Sequence, residues 1–327
     1  MSMIPDITGG AGDTAAELAV EAGEPIPVGR KLIQGRSPWQ LAWERLRKDR
    51  AAIIAMATIA VIVLFALLAP LIATWVGHGP NQQFIDIGEN ANGGPVPPSK
   101  IFWLGTDSSG RDLFIRTIYG ARISLAVGVL ATAISIALGV VFGLAAGYLG
   151  GAVDIVIARV IDVMLAVPFL VVAISVAEIW RPSFWLVIFV VGVLSFTYPA
   201  RIVRGQVISL KEKEFIQAAR ALGAGPLRIM FIDLLPNVTA QVIVYGSLLI
   251  PASIVLEASL SFLGVGIPPP TADWGQMISD ASGYYQYGYW WYLLFPSVAL
   301  LITTLAFNVL GDSVRDALDP RGGGLYV

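Results

Sequence analysis

Three groups of residues in this chain have types and spacings that could do chemistry. The first is Glu257, which stands between two charge-free runs, 237–256 and 258–272, with Ser259 and Ser261 beside it. A carboxylate inside an apolar segment is costly to carry, and with hydroxyls alongside it suits an amine, a cation or a peptide backbone. Its structural alternative is an interhelical hydrogen bond near the outer boundary of a span. The second group is ionic. Arg159 and Asp162, and likewise Asp312 and Arg315, lie three residues apart, a spacing that brings opposite charges onto one helix face. Both read as structural pairs near span ends, and Asn308 reads as a further helix-end anchor. The third group is a charged segment between apolar runs, residues 201–237, taken up below.

Other chemistry is excluded. The chain has no cysteine and a single histidine, His78, so a disulfide framework, a Cys-based metal or nucleophile site and a His cluster have nothing to build them, and no metal site is assigned. No GxxxxGK[ST] phosphate loop occurs, so this chain does not bind ATP itself. No catalytic residue is assigned. A net charge of -2 provides no basic field for nucleic acid.

Residues 201–237 are too charged to cross a membrane and too regular for a loose linker. Ser209 and Glu212 have capping-box spacing, which predicts a helix starting at Ser209. Phe215, Ala218, Ala219 and Leu222 then recur at i, i+3, i+4 and i+7, an apolar stripe, while Lys213, Gln217 and Arg220 face elsewhere. Gly223 suits the left-handed residue that closes a helix, and Gly225-Pro226 opens a second one running back to Leu235-Pro236. A helix of this kind, with alanines in its stripe, fits either a groove on another protein or the membrane surface.

The elements that must position these groups follow from composition. Apolar residues make up 56% of the chain and charged ones 13%, against about 25% charged in ordinary soluble domains. A soluble enzyme would lack polar surface. A bilayer core needs about 20 apolar residues in helical form, and continuous rather than alternating runs mean helices, not barrel strands. We therefore expect an all-α polytopic membrane protein with six transmembrane helices, over 51–76, 123–149, 155–178, 182–200, 238–264 and 289–311. The third is the weakest, because its charge-free run covers only 163–177. Between them lie extracytoplasmic loops at 77–122 and 265–288 and the cytoplasmic loop 201–237. Residues 1–35 read as a flexible cytoplasmic tail, 36–50 as an interfacial amphipathic helix capped by Ser37, and 312–327 as a cytoplasmic tail. This orientation puts 16 of the 21 basic residues inside, which places both termini in the cytoplasm. Leu113, Phe114 and Ile118 are expected to press onto the membrane, and the aromatic group at Tyr284–Tyr292 to sit at the headgroup level. Gly139, Gly143 and Gly147 form a stripe for close helix packing.

The segment 217–236 resembles the EAA loop of ABC-importer permeases, whose pattern is Glu-Ala-Ala, three residues, Gly, nine residues, Ile-x-Leu-Pro. Ala218, Ala219, Gly223, Leu235 and Pro236 match at the required spacing, with Gln217 in place of the Glu and Asp233 in place of the Ile. The resemblance extends through 105–125 (GTDSSGRDLFIRTIYGARISL), 160–173, 256–275 and 310–321, and is to the second permease subunit of the dipeptide/oligopeptide (and nickel) importer family. It implies a type I ABC importer permease fold in the cytoplasmic (inner) membrane, embedded in lipid. It also implies four kinds of partner: a second homologous permease, two ATPase subunits that hold ATP and Mg, an extracytoplasmic substrate-binding protein, and a peptide substrate. Glu214, Phe215, Gln217, Ala218, Ala219, Leu222 and Gly223 would then couple to the ATPase, and Glu257, Ser259 and Ser261 would line the path. Related systems carry nickel, glutathione or haem. An ion-gradient transporter is the alternative class, but neither inverted repeats nor broken midplane helices are evident in six spans.

Overall fold

The computed structural model describes residues 38–319; the expected tail over 1–35, Ser37 and residues 320–327 lie outside them. Its elements are α1 (Pro38–Leu46), α2 (Arg50–Val76), α3 (Leu113–Leu149), α4 (Gly151–Ala166), α5 (Phe169–Ile179), α6 (Phe184–Ser195), α7 (Thr197–Leu210), α8 (Glu214–Ala221), α9 (Leu235–Phe262), α10 (Trp274–Ser282) and α11 (Trp290–Leu318). No strand forms among the described residues, in keeping with an all-α membrane protein.

Five helical runs are long and apolar enough to cross a bilayer: Arg50–Val76, Leu113–Leu149, Phe184–Leu210, Pro226–Phe262 and Trp290–Leu318. The sixth, expected as one helix over 155–178, is two helices, α4 and α5, bent by 90°. Pro168 is the cause. It has no N–H to continue the ladder and its ring disfavours helical geometry in the residue before it; Val167 is accordingly extended, at φ -93 and ψ 130.

Other boundaries shift for local reasons. The second long helix starts at Leu113 rather than 123, because the Asp112 carboxylate accepts from the backbone N–H of Phe114 (2.8 Å) and Ile115 (3.3 Å). Leu113 and Ile118 are thereby buried within the protein instead of lying on the membrane. The helical run expected over 182–200 continues to Leu210, and the one over 289–311 to Leu318. Of the aromatic group, Tyr285, Tyr287 and Trp290 are exposed, but Trp291 and Tyr292 are core residues packed with Trp274 and Met277.

Helix α3 is the central element, supplying Leu125, Val127 and Leu144 to three separate apolar clusters. Its glycine stripe packs on α7. A Cβ on Gly143 would stand 2.7 Å from that of Val203, and one on Gly147 2.7 Å from that of Val207, so only glycine permits this backbone approach.

Helix ends are tied by bonds distant in sequence. Asp49 caps α2 through the Ala51 N–H (2.8 Å) and accepts from Ser313 Oγ of α11 (2.6 Å), which holds its carboxyl below the ordinary range. Arg45 donates to the carbonyls of Ala317 (3.3 Å) and Asp319 (2.9 Å). These bonds take the place of the expected Asp312–Arg315 pair. Both of those side chains are exposed, and they form no ion pair among the described residues.

Candidate functional site

The segment between the fourth and fifth spans folds as a helical hairpin, but its first helix starts later than the capping box predicts. Ser209 lies in the last turn of α7, which runs out of the membrane-spanning run without a break. α8 begins at Glu214 with Lys213 as an extended N-cap that makes no side-chain bond. The bend between the two helices is held instead by Gln217 Nε2, which donates to the Glu212 carbonyl (3.1 Å). At the other end Gly223 has φ +81, a left-handed conformation, and the Ala224 N–H reaches the Ala219 carbonyl (3.0 Å). Pro226 then starts the return helix at its first position.

The side of α8 that meets the protein is carried by Ile216, a residue the i, i+3, i+4, i+7 stripe misses. Ile216 is fully buried in a cluster with Leu144 of α3, Val203 and Val207 of α7, and Ile229, Met230 and Leu234 of the helical return arm of the hairpin. Ala219 packs against the same cluster, and the Arg220 guanidinium lies 5.1 Å over the Tyr148 ring. The stripe is therefore divided. Ala219 turns inward, while Phe215, Ala218 and Leu222 face out, Leu222 with 89% of its surface exposed. Leu227, just beyond the turn, is exposed as well. A short helix pinned on one side and apolar on the other is built to be covered by something else.

The return arm is continuous with α9 as one run, Pro226–Phe262, except that Ile229–Leu234 is wound as a π-helix. Pro236 cannot donate to the carbonyl four residues back, and the ladder next to it widens. Behind the hairpin, Arg204 of α7 grips Asp154 in the first turn of α4 with two parallel bonds, one of them from Nη2 to Oδ2 at 2.8 Å. Asp162 is bound chiefly by Arg201 (2.9 Å); Arg159, the partner expected from spacing, stands 3.9 Å away and is largely exposed.

Glu257 lies in the last two turns of α9. It is fully buried, and its partners come from three elements: Ser261 Oγ donates to it (3.0 Å), Ser124 of α3 adjoins it, and Asp273 meets it from the loop before α10. Asp273, also fully buried, caps α10 through the N–H groups of Gly275 (2.9 Å) and Gln276 (3.3 Å). Burial pushes the Asp273 carboxyl above its ordinary value, against the opposing effect of its hydrogen bonds to Glu257 and Ser261. Ser259 takes no part in this cluster; it is exposed and bonds the Val255 carbonyl. The cluster fastens the loop to α9.

The loop before α3 holds a buried ionic knot. Asp107 accepts from the backbone of Ser109 and Arg111, and pairs with Arg111 Nε (2.6 Å) and Arg116 Nε (3.1 Å). Arg116 is buried, and its Nη1 also donates to the Pro80 carbonyl (3.1 Å) and Asn81 Oδ1 (3.2 Å). His78 bonds the Asp112 carboxylate at 2.5 Å, so the single histidine anchors the loop.

Residues 139–322 match the family model for the binding-protein-dependent transport system inner membrane component, and residues 37–95 match the N-terminal TM domain of oligopeptide transport permease C. The chain belongs to this permease family. The permease is 40% identical over 282 residues to the dipeptide transport system permease protein DppC of Bacillus subtilis (strain 168), covering 86% of this chain and 85% of that one. It is 38% identical over 289 residues to the oligopeptide transport system permease protein OppC of Escherichia coli (strain K12), covering 88% and 93%. It is 39% identical over 288 residues to the glutathione transport system permease protein GsiD of Escherichia coli O6:K15:H31, covering 88% and 92%. A chain of the inward-facing MetNI methionine ABC transporter superposes with a TM-score of 0.50 at 19% identity, over 62% of this permease and 96% of that chain, a likeness of fold. The permease is thus a multi-pass inner-membrane transport subunit rather than an enzyme.

Proposed function

We propose that this permease forms half of the membrane path of an ATP-driven importer of dipeptides or oligopeptides, with both termini in the cytoplasm. A second homologous permease completes the path, two ATPase subunits bind and hydrolyse ATP with Mg, and an extracytoplasmic binding protein delivers the peptide. The observation that carries the reading is the divided face of α8: Ile216 fixes the helix to the bundle while Phe215, Ala218 and Leu222 are presented outward. The relatives named for dipeptide and oligopeptide transport support the substrate class. A glutathione permease at 39% identity supports a second reading within it, since glutathione is itself a small peptide.

The mechanism follows from continuity. A partner that closes around α8 moves Ile216 and the π-turn with it, and both lie in the cluster that joins α3, α7 and α9. Displacement of the hairpin then becomes a tilt of spanning helices, as alternating access requires. Deleting residues 215–223 should leave the permease in the membrane, abolish copurification of the ATPase and abolish ATP-dependent peptide uptake. Uptake at the full rate after the deletion would overturn the proposal.

A further inference from the structure

The 90° break between α4 and α5 opens a space that the Glu257 cluster does not reach. A cavity of about 400 Å³ lies there, lined among others by Met164 and Phe169 on either side of the break, by Ser195, Thr197 and Tyr198 at the α6–α7 junction, and by Leu256 of α9. Its volume falls in the range of small-molecule sites, about 300 to 1,000 Å³. No Asp, Glu, Lys or Arg lines it.

Ser195 and Thr197 make it more than a gap. Both residues are over nine-tenths buried, at 8% and 2% exposure, yet neither side chain has a hydrogen-bond partner among the described residues. Most other buried hydroxyls among the described residues are satisfied. Thr303 and Thr304 bond back to carbonyls in their own helix, and Thr132 and Ser253 bond each other. The Ser124 and Ser135 hydroxyls also lack a bond, but their oxygens are fully enclosed by protein, whereas those of Ser195 and Thr197 are not. A hydroxyl with no partner inside the protein is free to bond what enters, so two of them beside one cavity are sites held open for an incoming group.

We infer that this cavity is a transit subsite for the peptide backbone, in which Ser195 and Thr197 hydrogen-bond the amides of the solute and the apolar wall takes its side chains. The inference rests on the peptide-importer reading. A neutral lining reads what all peptides share and leaves their charge undiscriminated.

The test uses the complete transporter, both permeases with ATPase and binding protein, in proteoliposomes, with radiolabelled trialanine as probe. The double variant Ser195→Ala/Thr197→Val removes both hydroxyls at nearly constant volume. It should lower uptake about tenfold, the loss of two neutral hydrogen bonds, while Thr197→Ser keeps a hydroxyl and should retain most of the rate. Ser195→Phe fills the cavity and should reduce uptake further; copurification of all subunits and an unchanged melting temperature check assembly. Wild-type uptake with undiminished uptake in both the double variant and Ser195→Phe would overturn the subsite and leave the importer standing. No trialanine uptake by the wild type, despite ATP hydrolysis stimulated by the binding protein, would overturn the peptide reading and the subsite with it.

Discussion

Glu257 and Asp273 meet as two fully buried carboxyls from separate elements, one on the long α9 and one at the cap of α10. Asp273 has the raised proton affinity, so the sign of its linkage to pH is fixed: the folded state holds a proton that the unfolded chain releases near 3.8. The stabilisation is complete below that value and fades as pH rises through the folded one. Melting temperature in detergent, scanned upward from about pH 4, should therefore decline across this group's titration. Asp273→Asn keeps the acceptor for the Gly275 N–H and should flatten that decline. Asp273→Ala should do so too but lose about 1 kcal/mol through the missing cap.

The two sides of α8 should respond differently to truncation. Ile216→Ala should cost about 2 to 5 kcal/mol of local stability by opening a hole in the cluster beneath the hairpin, read as faster amide exchange over α8. Phe215→Ala and Leu222→Ala remove exposed side chains, and exchange should not change. Their effect should instead fall on ATPase copurification. Equal loss of copurification with no exchange difference between the three variants would contradict the division of the stripe.

Gly143→Ala tests the α3–α7 seam. The added methyl would lie 2.7 Å from Val203 Cβ and 2.8 Å from the Ala200 carbonyl oxygen, an overpacking expected to cost about 1 to 3 kcal/mol in thermal unfolding. Adding Val203→Ala should recover part of the loss. The carbonyl, being backbone, prevents full recovery.

Arg116→Met leaves Asp107 with Arg111 alone and the Pro80 carbonyl and Asn81 without their donor. Removing one member of a buried ion pair costs about 3 to 5 kcal/mol. The expected readout is proteolytic nicking in residues 77–112 at temperatures where the wild type resists. Arg116→Lys should be intermediate, since an ammonium replaces the charge but not the fork of donors.

What could be read in the sequence was whatever depends on neighbours along the chain. Apolar runs marked the long helices, Gly139, Gly143 and Gly147 marked a close approach, and Gly223 with Pro226 marked the hairpin turn. Contacts across the chain were not legible. Asp162 has Arg159 one turn away, yet Arg201 on another helix takes it; Glu257 has serines beside it, yet Asp273 from a loop meets it. The stripe on α8 counted apolar residues without knowing which side the bundle occupies, and so passed over Ile216. Pro168 was visible, but how far it would turn the chain depends on what α5 packs against.

The unbroken run from Pro226 to Phe262 has a consequence of scale. Its 37 residues reach about 55 Å at the helical rise, so each degree of swing at the hairpin sweeps the far end by about 1 Å. Glu257 rides near that far end, and Asp273 grips it there. A modest nudge at the hairpin is thus felt where the loop before α10 is moored, and the carboxyl seam must either travel with the rod or unfasten at each stroke.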